Sequence, residues 1–148
     1  MPPGGSVSGC RRTPAGQQPE SCLPMVEHCG MKAKDILGSR GEELAAQYLI
    51  AAGLRIIDRN WRCPEGEIDL VAVDGATLVV VEVKTRSSLA FGHPFEAIDQ
   101  AKLARLHVLA GVWARAHARY FTHRRIDAVA VLDDGVSPPE IEHLRGIC

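Results

Sequence analysis

The stretch E-I-D-L-V-A-V-D-G-A-T-L-V-V-V-E-V-K, Glu67 to Lys84, decides the fold. Two mainly apolar runs rich in valine, Glu67 to Val73 and Ala76 to Lys84, flank Asp74-Gly75. Asp-Gly is a strong hairpin signal, because both central positions of a type I′ turn need positive φ. In the simplest register Val73 faces Ala76. Side chains alternate across a strand, so Glu67, Asp69, Val71 and Val73 then share a face with Leu78, Val80, Glu82 and Lys84. The other face carries Ile68, Leu70, Ala72, Val79, Val81 and Val83. Apolar residues on both faces near the turn describe central strands covered on each side. The charged residues gather on one face at the open end.

Upstream, Ser39 and Glu42 have the S-x-x-E spacing of a capping box, and Leu44, Ala45, Tyr48 and Ala52 recur at helical intervals up to Gly53. On a helical wheel Glu42 borders this apolar stripe and can reach inward, whereas Glu43 points into solvent. Leu54 to Asn60 reads as a first strand, and Trp61 to Gly66 as a connection. Downstream, a loop with Gly92 and Pro94 leads into a helix over about Phe95 to Ala118, with Leu103, Leu106, Ala110 and Trp113 on one face. Ile126 to Leu132 is a further strand, closed by Asp133-Asp134-Gly135. The element order is α-β-β-β-α-β, an α/β class with a central sheet flanked by helices.

At 148 residues, nearly half of them apolar, the chain has room for one ordinary core. The expected division is a Pro-, Gly-, Ser- and Gln-rich extension over residues 1–33, a nucleic-acid-acting domain over 34–135, and a tail over 136–148 that adds an edge strand. The extension has the composition of a disordered segment, and Met25 or Met31 could each begin a complete domain. It contains Arg11 and Arg12 without a continuous apolar run, so it is no secretory signal. No stretch is apolar for the length a membrane crossing requires, so no membrane partner is expected. Five scattered cysteines form no C-x-x-C pair, which argues against a zinc site and suits a reduced cytoplasmic setting.

The net charge of −1 argues against a protein that coats nucleic acid by bulk charge. Its distribution is uneven. Between Gln100 and Ile126 there is no acidic residue, yet Lys102, Arg105, Arg115, Arg119, Arg124 and Arg125 all lie there. Lys102, Arg105 and Arg86 are the expected phosphate contacts, although helix lysines and arginines are often only solvated.

The charged corner of the hairpin has the chemistry of metal-assisted phosphodiester cleavage. Mg²⁺ is held by one or two carboxylates, with substrate oxygens and water completing its shell. Asp69 and Glu82 supply carboxylates, and Glu67 and Glu42 could add outer ones. Lys84 can stabilise the charge that develops on phosphorus or orient the attacking water. Simpler readings compete: Glu67, Asp69, Glu82 and Lys84 as a solvated hairpin end, and Glu42 as the third residue of a capping box. Trp61 and Trp113 read as packing residues, and His93 as a loop residue.

The segments Gly38 to Leu49 (G-S-R-G-E-E-L-A-A-Q-Y-L), Gly66 to Leu70 (G-E-I-D-L), Val81 to Arg86 (V-E-V-K-T-R) and Phe91 to Pro94 (F-G-H-P) resemble the YraN-type bacterial family. Lys102 and Arg125-Ile126-Asp127 continue the match, which runs from about Lys34 to Leu132. That family is similar in its core to PD-(D/E)XK nucleases, with a restriction-endonuclease-like mixed sheet, and especially to archaeal Holliday-junction resolvases. The resemblance implies Asp69 and Glu82 as the acidic positions, Lys84 as the lysine and Glu42 as the helix-one glutamate. The Pro-Asp pair of the motif's name is absent, since Ile68 precedes Asp69. The expected function is Mg²⁺- or Mn²⁺-dependent hydrolysis of DNA or RNA, with branched or damaged DNA as the favoured substrate and a homodimer suited to paired cuts. The alternative is a non-catalytic nucleic-acid-binding adaptor of the same fold.

Overall fold

The computed structural model describes residues 32–90 and 92–148. The expectations for the N-terminal extension and its start sites, and for Phe91, lie outside these residues. α1 (Ala33–Ala51) is followed by β1 (Arg55–Cys63), β2 (Gly66–Asp74) and β3 (Thr77–Arg86), then a 3₁₀ turn (Pro94–Ala97), α2 (Gln100–Ala116), β4 (His123–Leu132) and β5 (Glu140–Leu144). The strands form one open mixed sheet in the order β1-β2-β3-β4-β5. β3 and β4 are parallel and all other neighbours antiparallel. This is the expected α/β class, a restriction-endonuclease-like sheet with helices on both faces and β5 added at one edge. A parallel β3–β4 pair requires a long crossover, which α2 provides.

Each face of the sheet has its own core. Ala45, Ala46 and Leu49 of α1 pack on Leu70, Ala72, Val79, Val81 and Val129. Leu103, Leu106, Leu109 and Trp113 of α2 pack on Ile68, Val71, Leu78, Val80 and Ile126. The alternation read from the hairpin therefore holds, except at Ile68. This residue joins the α2 side rather than the side of Leu70. Regular β2–β3 pairing stops at Leu70–Val81, and the Val83 N–H donates to the Asp69 carboxylate, 2.8 Å away. Beside it in β1, Asn60 adopts φ +49°, a left-handed conformation that Asn tolerates better than most residues. The two strands kink together here, and the alternation resets.

The hairpin register differs by two residues from the simplest one. Val73 pairs with Leu78 and Asp74 with Thr77, so Gly75 and Ala76 form the loop. Gly75 has φ +61° and Ala76 does not have positive φ, the sign pattern of a II′ turn rather than I′. A shift of two leaves every side chain on its face but slides the strands. Continued by one step past the last regular pair, it brings Asp69 opposite Glu82.

Three boundaries also move. Trp61, Arg62 and Cys63 belong to β1, and the connection to β2 shrinks to Pro64-Glu65, because Trp61 pairs with Ile68 and packs on the α2 side. The segment before α2 is a separate 3₁₀ turn, and α2 itself starts after Asp99, whose carboxylate accepts the Lys102 N–H at 2.8 Å as an N-cap. α1 begins at Ala33, two turns before the Ser39-Glu42 pair, so that pair is no capping box but lies inside the helix. Its far end is as expected: Gly53 at φ +97° and Leu54 donate back to Ile50 and Leu49, a Schellman closure. The inward stripe of α1 is Gly41, Ala45, Ala46 and Leu49, while Tyr48 and Ala52 are exposed.

Gly41 is where α1 meets β3. A Cβ at this position would overlap the Thr85 side chain, so the absence of a side chain lets the helix lie against the end of the strand. That contact carries Glu42, the next residue, to the charged end of the hairpin. Gly41→Ala is accordingly expected to lower unfolding free energy by about 1–3 kcal/mol, the usual cost of overpacking, as measured by urea denaturation.

Candidate functional site

Asp69 and Glu82 face one another where β2 and β3 leave their regular ladder. Glu82 is only 3% exposed, so the reading of a solvated hairpin end does not hold for it. Its Oε1 receives two ammonium groups, Lys84 Nζ at 2.9 Å from the same strand and Lys102 Nζ at 3.2 Å from the first turn of α2. Lys102, read from the sequence as a phosphate contact, balances the charge of this buried carboxylate. Asp69 uses one oxygen to accept the Val83 N–H. Burial first, and the nearby charge of Glu82 second, push its carboxyl up to about 7, against smaller lowering effects from the Val83 N–H and Lys102.

Glu42 comes to this corner from α1 and is partly buried. Its pKa is also raised, mainly by burial and then by the charges of Glu67 and Glu82, with the Asn60 side chain and Arg62 acting in the opposite direction. Glu67 stands apart from the carboxylate pair. Its side chain is 57% exposed and lies 3.3 Å from Arg62. Arg105 is exposed along α2, and Arg86 lies at the end of β3. Arg86 helps to line a cleft of about 810 Å³ between α1 and the β3 end, whose walls also include Lys34, Arg40, Glu42 and Lys84. Arg40 is tied there to buried Asp133 at 2.7 Å.

The donor set can be tested against a divalent cation. Among the described residues no three His, Cys, Asp or Glu side chains converge into a ready-made cage. That is unlike a closed structural zinc site, which takes four protein ligands. Two carboxylates that repel one another, Glu82 buried and Asp69 partly so, with little further protein ligation, fit a hard cation that draws its remaining oxygens from water and phosphate. The residues present therefore fit Mg²⁺ or Mn²⁺ held by Asp69 and Glu82.

Asn60 and the Val83 N–H were not foreseen as parts of the site. An Asn within a strand was the available signal for Asn60; a backbone donor leaves none. Other polar residues have structural work. His93 caps the 3₁₀ turn and meets Glu142 of β5 at 2.9 Å. Trp113 is buried and donates to Asp58 at 2.8 Å, and Trp61 packs beside it. Arg125 and Asp127 form a separate buried network with His143 and the Gly146 N–H, fastening β5 and the chain end to β4.

The family model described as "Uncharacterised protein family UPF0102" matches residues 41–131, which spans α1 from the Gly41 contact through β4. This chain belongs to that family. A UPF0102 protein of Arthrobacter sp. (strain FB24) is 66% identical over 117 residues, covering 79% of this chain and 99% of the relative. Those of Paenarthrobacter aurescens (strain TC1) and Beutenbergia cavernae are 64% and 56% identical over 80% and 79% of this chain and 98% and 99% of theirs. The YraN-type resemblance read from the motifs is thus a true family relationship. Glu42, Asn60, Glu67, Asp69, Glu82, Lys84 and Lys102 fall inside the UPF0102 match. No helix among the described residues is long and apolar enough to cross a membrane.

The raised pKa of Asp69 has a defined sign. The fold holds this proton more tightly than the unfolded chain does, so the group's contribution to stability is full below about pH 4 and is lost as pH rises through about 7. Asp69→Asn keeps the oxygen that accepts the Val83 N–H but cannot ionise. In EDTA, its stability relative to wild type is expected to be higher at pH 8 than at pH 5, measured by thermal unfolding. Equal differences at the two pH values would mean that Asp69 ionises normally.

Proposed function

We propose that this protein is a divalent-metal-dependent nuclease that hydrolyses phosphodiester bonds of DNA, with Asp69 and Glu82 as metal ligands. The observation that carries the reading is the partly buried Asp69 beside the buried Glu82, with Lys84 held against Glu82. Burying two like charges side by side is costly, and a fold with no use for a cation there would have had apolar substitutes open to it.

A bound Mg²⁺ or Mn²⁺ would supply Lewis-acid polarisation of the phosphodiester and a lowered pKa for water. The chain's own residues do the rest. Glu82 is held in one orientation by its two lysines, so its geometry is fixed before substrate arrives. Lys84 lies on the strand face beside it and can turn one of its ammonium donors towards negative charge developing on the phosphoryl oxygens. Asp69, held by the Val83 N–H, keeps its second oxygen for the cation. Glu42, with a raised pKa, is suited to orient water or to take its proton at the carboxylate. Glu67, already paired with Arg62, is at most an outer contributor.

The resemblance of the motifs to PD-(D/E)XK nucleases supports the same reading, as does the α-β-β-β-α-β order with the acidic residues on β2 and β3. DNA with branches or lesions remains the proposed substrate class. Purified full-length protein with Mg²⁺ or Mn²⁺ is expected to cut at least one member of a panel of linear, nicked, flapped and four-way DNA. Lys84→Ala and Asp69→Ala should each lose about 100-fold or more in rate while their circular dichroism stays unchanged. Failure to cut any DNA or RNA substrate, with either ion, would reject the activity.

A further inference from the structure

Arg59, Arg62, Lys84, Lys102 and Arg145 each meet a carboxylate within ion-pair distance. Four arginines of α2, the loop after it and the start of β4 do not. Among the described residues Arg105, Arg115, Arg119 and Arg124 form no ion pair, and Arg119 rests instead on the Phe121 ring. Two of the four are also brought together. Arg124 Nη1 lies 3.1 Å, and Arg115 Nη1 3.6 Å, from the point where a Cβ on Gly111 would stand. Gly111, inside α2, leaves the space over which both guanidinium groups converge. Arg115 acts on the exposed Glu65 carboxylate only as the last of its influences, after the Cys63 side chain and the residue's own backbone.

Two like charges drawn over one glycine repel one another until an anion sits between them. The planar fork of guanidinium donors matches phosphate geometry, and phosphate is the anion that a pair of arginines binds best. α2 already commits its apolar stripe to the core, so this face does not present the apolar surface that would enter a lipid layer. Lys102 and Arg115 are thirteen residues apart on one helix, which at 1.5 Å per residue is about 20 Å. That length corresponds to about six base-pair steps of duplex.

We propose that Arg115 and Arg124, converging over Gly111, grip a backbone phosphate of nucleic acid about 20 Å along α2 from the carboxylate site. The choice of nucleic acid as the ligand rests on the nuclease reading; the anion site itself does not. Its effect is to hold duplex beyond the cutting point, so that a phosphodiester at Asp69 and Glu82 is presented in a fixed direction.

The test is equilibrium binding of the full chain to a fluorescein-labelled duplex of about 20 base pairs in EDTA, by anisotropy, as a function of salt. Each phosphate contact contributes about 0.9 to the slope of log affinity against log salt, so the Arg115→Gln/Arg124→Gln double variant, which gives up one gripped phosphate, should lose about 0.9 of it. Gly111→Asp keeps both arginines but sets a carboxylate between them, and should weaken binding and flatten the slope in the same sense. An unchanged slope in both variants would overturn the grip, as would wild-type protein that binds phosphatidylglycerol vesicles and not the duplex. The two readings fail separately. A reduced slope without Mg²⁺-dependent cleavage keeps the grip and removes the nuclease, whereas cleavage with an unchanged slope does the reverse.

Discussion

The structure turns on one electrostatic problem, a partly buried carboxylate, Asp69, set against a buried one, Glu82. Asp69 and Glu82 lie where β2 and β3 run between α1 and α2, and neither strand can move its end into water without uncovering a core. The fold meets the problem with local charge. Lys84 and Lys102 both converge on Glu82, one from the same strand and one from α2, and a backbone N–H is diverted from the ladder to Asp69. What remains uncompensated appears as the raised affinity of Asp69 for a proton. Proton and cation compete for the same place, which links the pH behaviour of the fold to its proposed chemistry.

Much of this was legible from the residues between Glu67 and Lys84. Alternation fixed which side chains face α1 and which face α2, because period two is a property of the strand itself. The register was not legible for the same reason. A slide of two residues leaves every face unchanged, so Val73–Ala76 and Val73–Leu78 pairing satisfy the hydrophobic pattern equally. The choice fell to the turn, where Asp74-Gly75 and Gly75-Ala76 both place a glycine at positive φ. Only the second brings Asp69 opposite Glu82. Ile68 was misplaced because the kink at Asn60 and Asp69 depends on a side chain replacing a backbone acceptor, which no periodicity records.

Glu42 shows the opposite case, in which a local signal was present and misleading. The S-x-x-E spacing at Ser39 suits a helix start, yet the helix runs on through it from Ala33. With the capping role gone, the position of Glu42 follows from the close approach of Gly41 to Thr85, a tertiary contact. Lys102 similarly read as one member of a basic stretch, and its pairing with Glu82 required knowing that α2 crosses this end of β3. The family match reached these residues by position, from Gly41 onwards, but the physical reason for each lies in packing.

The central claim is that the Asp69–Glu82 pair exists to hold a cation. The most direct measurement is the anomalous difference density of a crystal of this protein soaked in Mn²⁺. The account predicts a single strong peak bridging the carboxylates of Asp69 and Glu82, with Lys84 still beside Glu82 and the peak lost in Asp69→Asn. A soaked crystal with no peak at this pair, while both side chains remain ordered and in place, would contradict it.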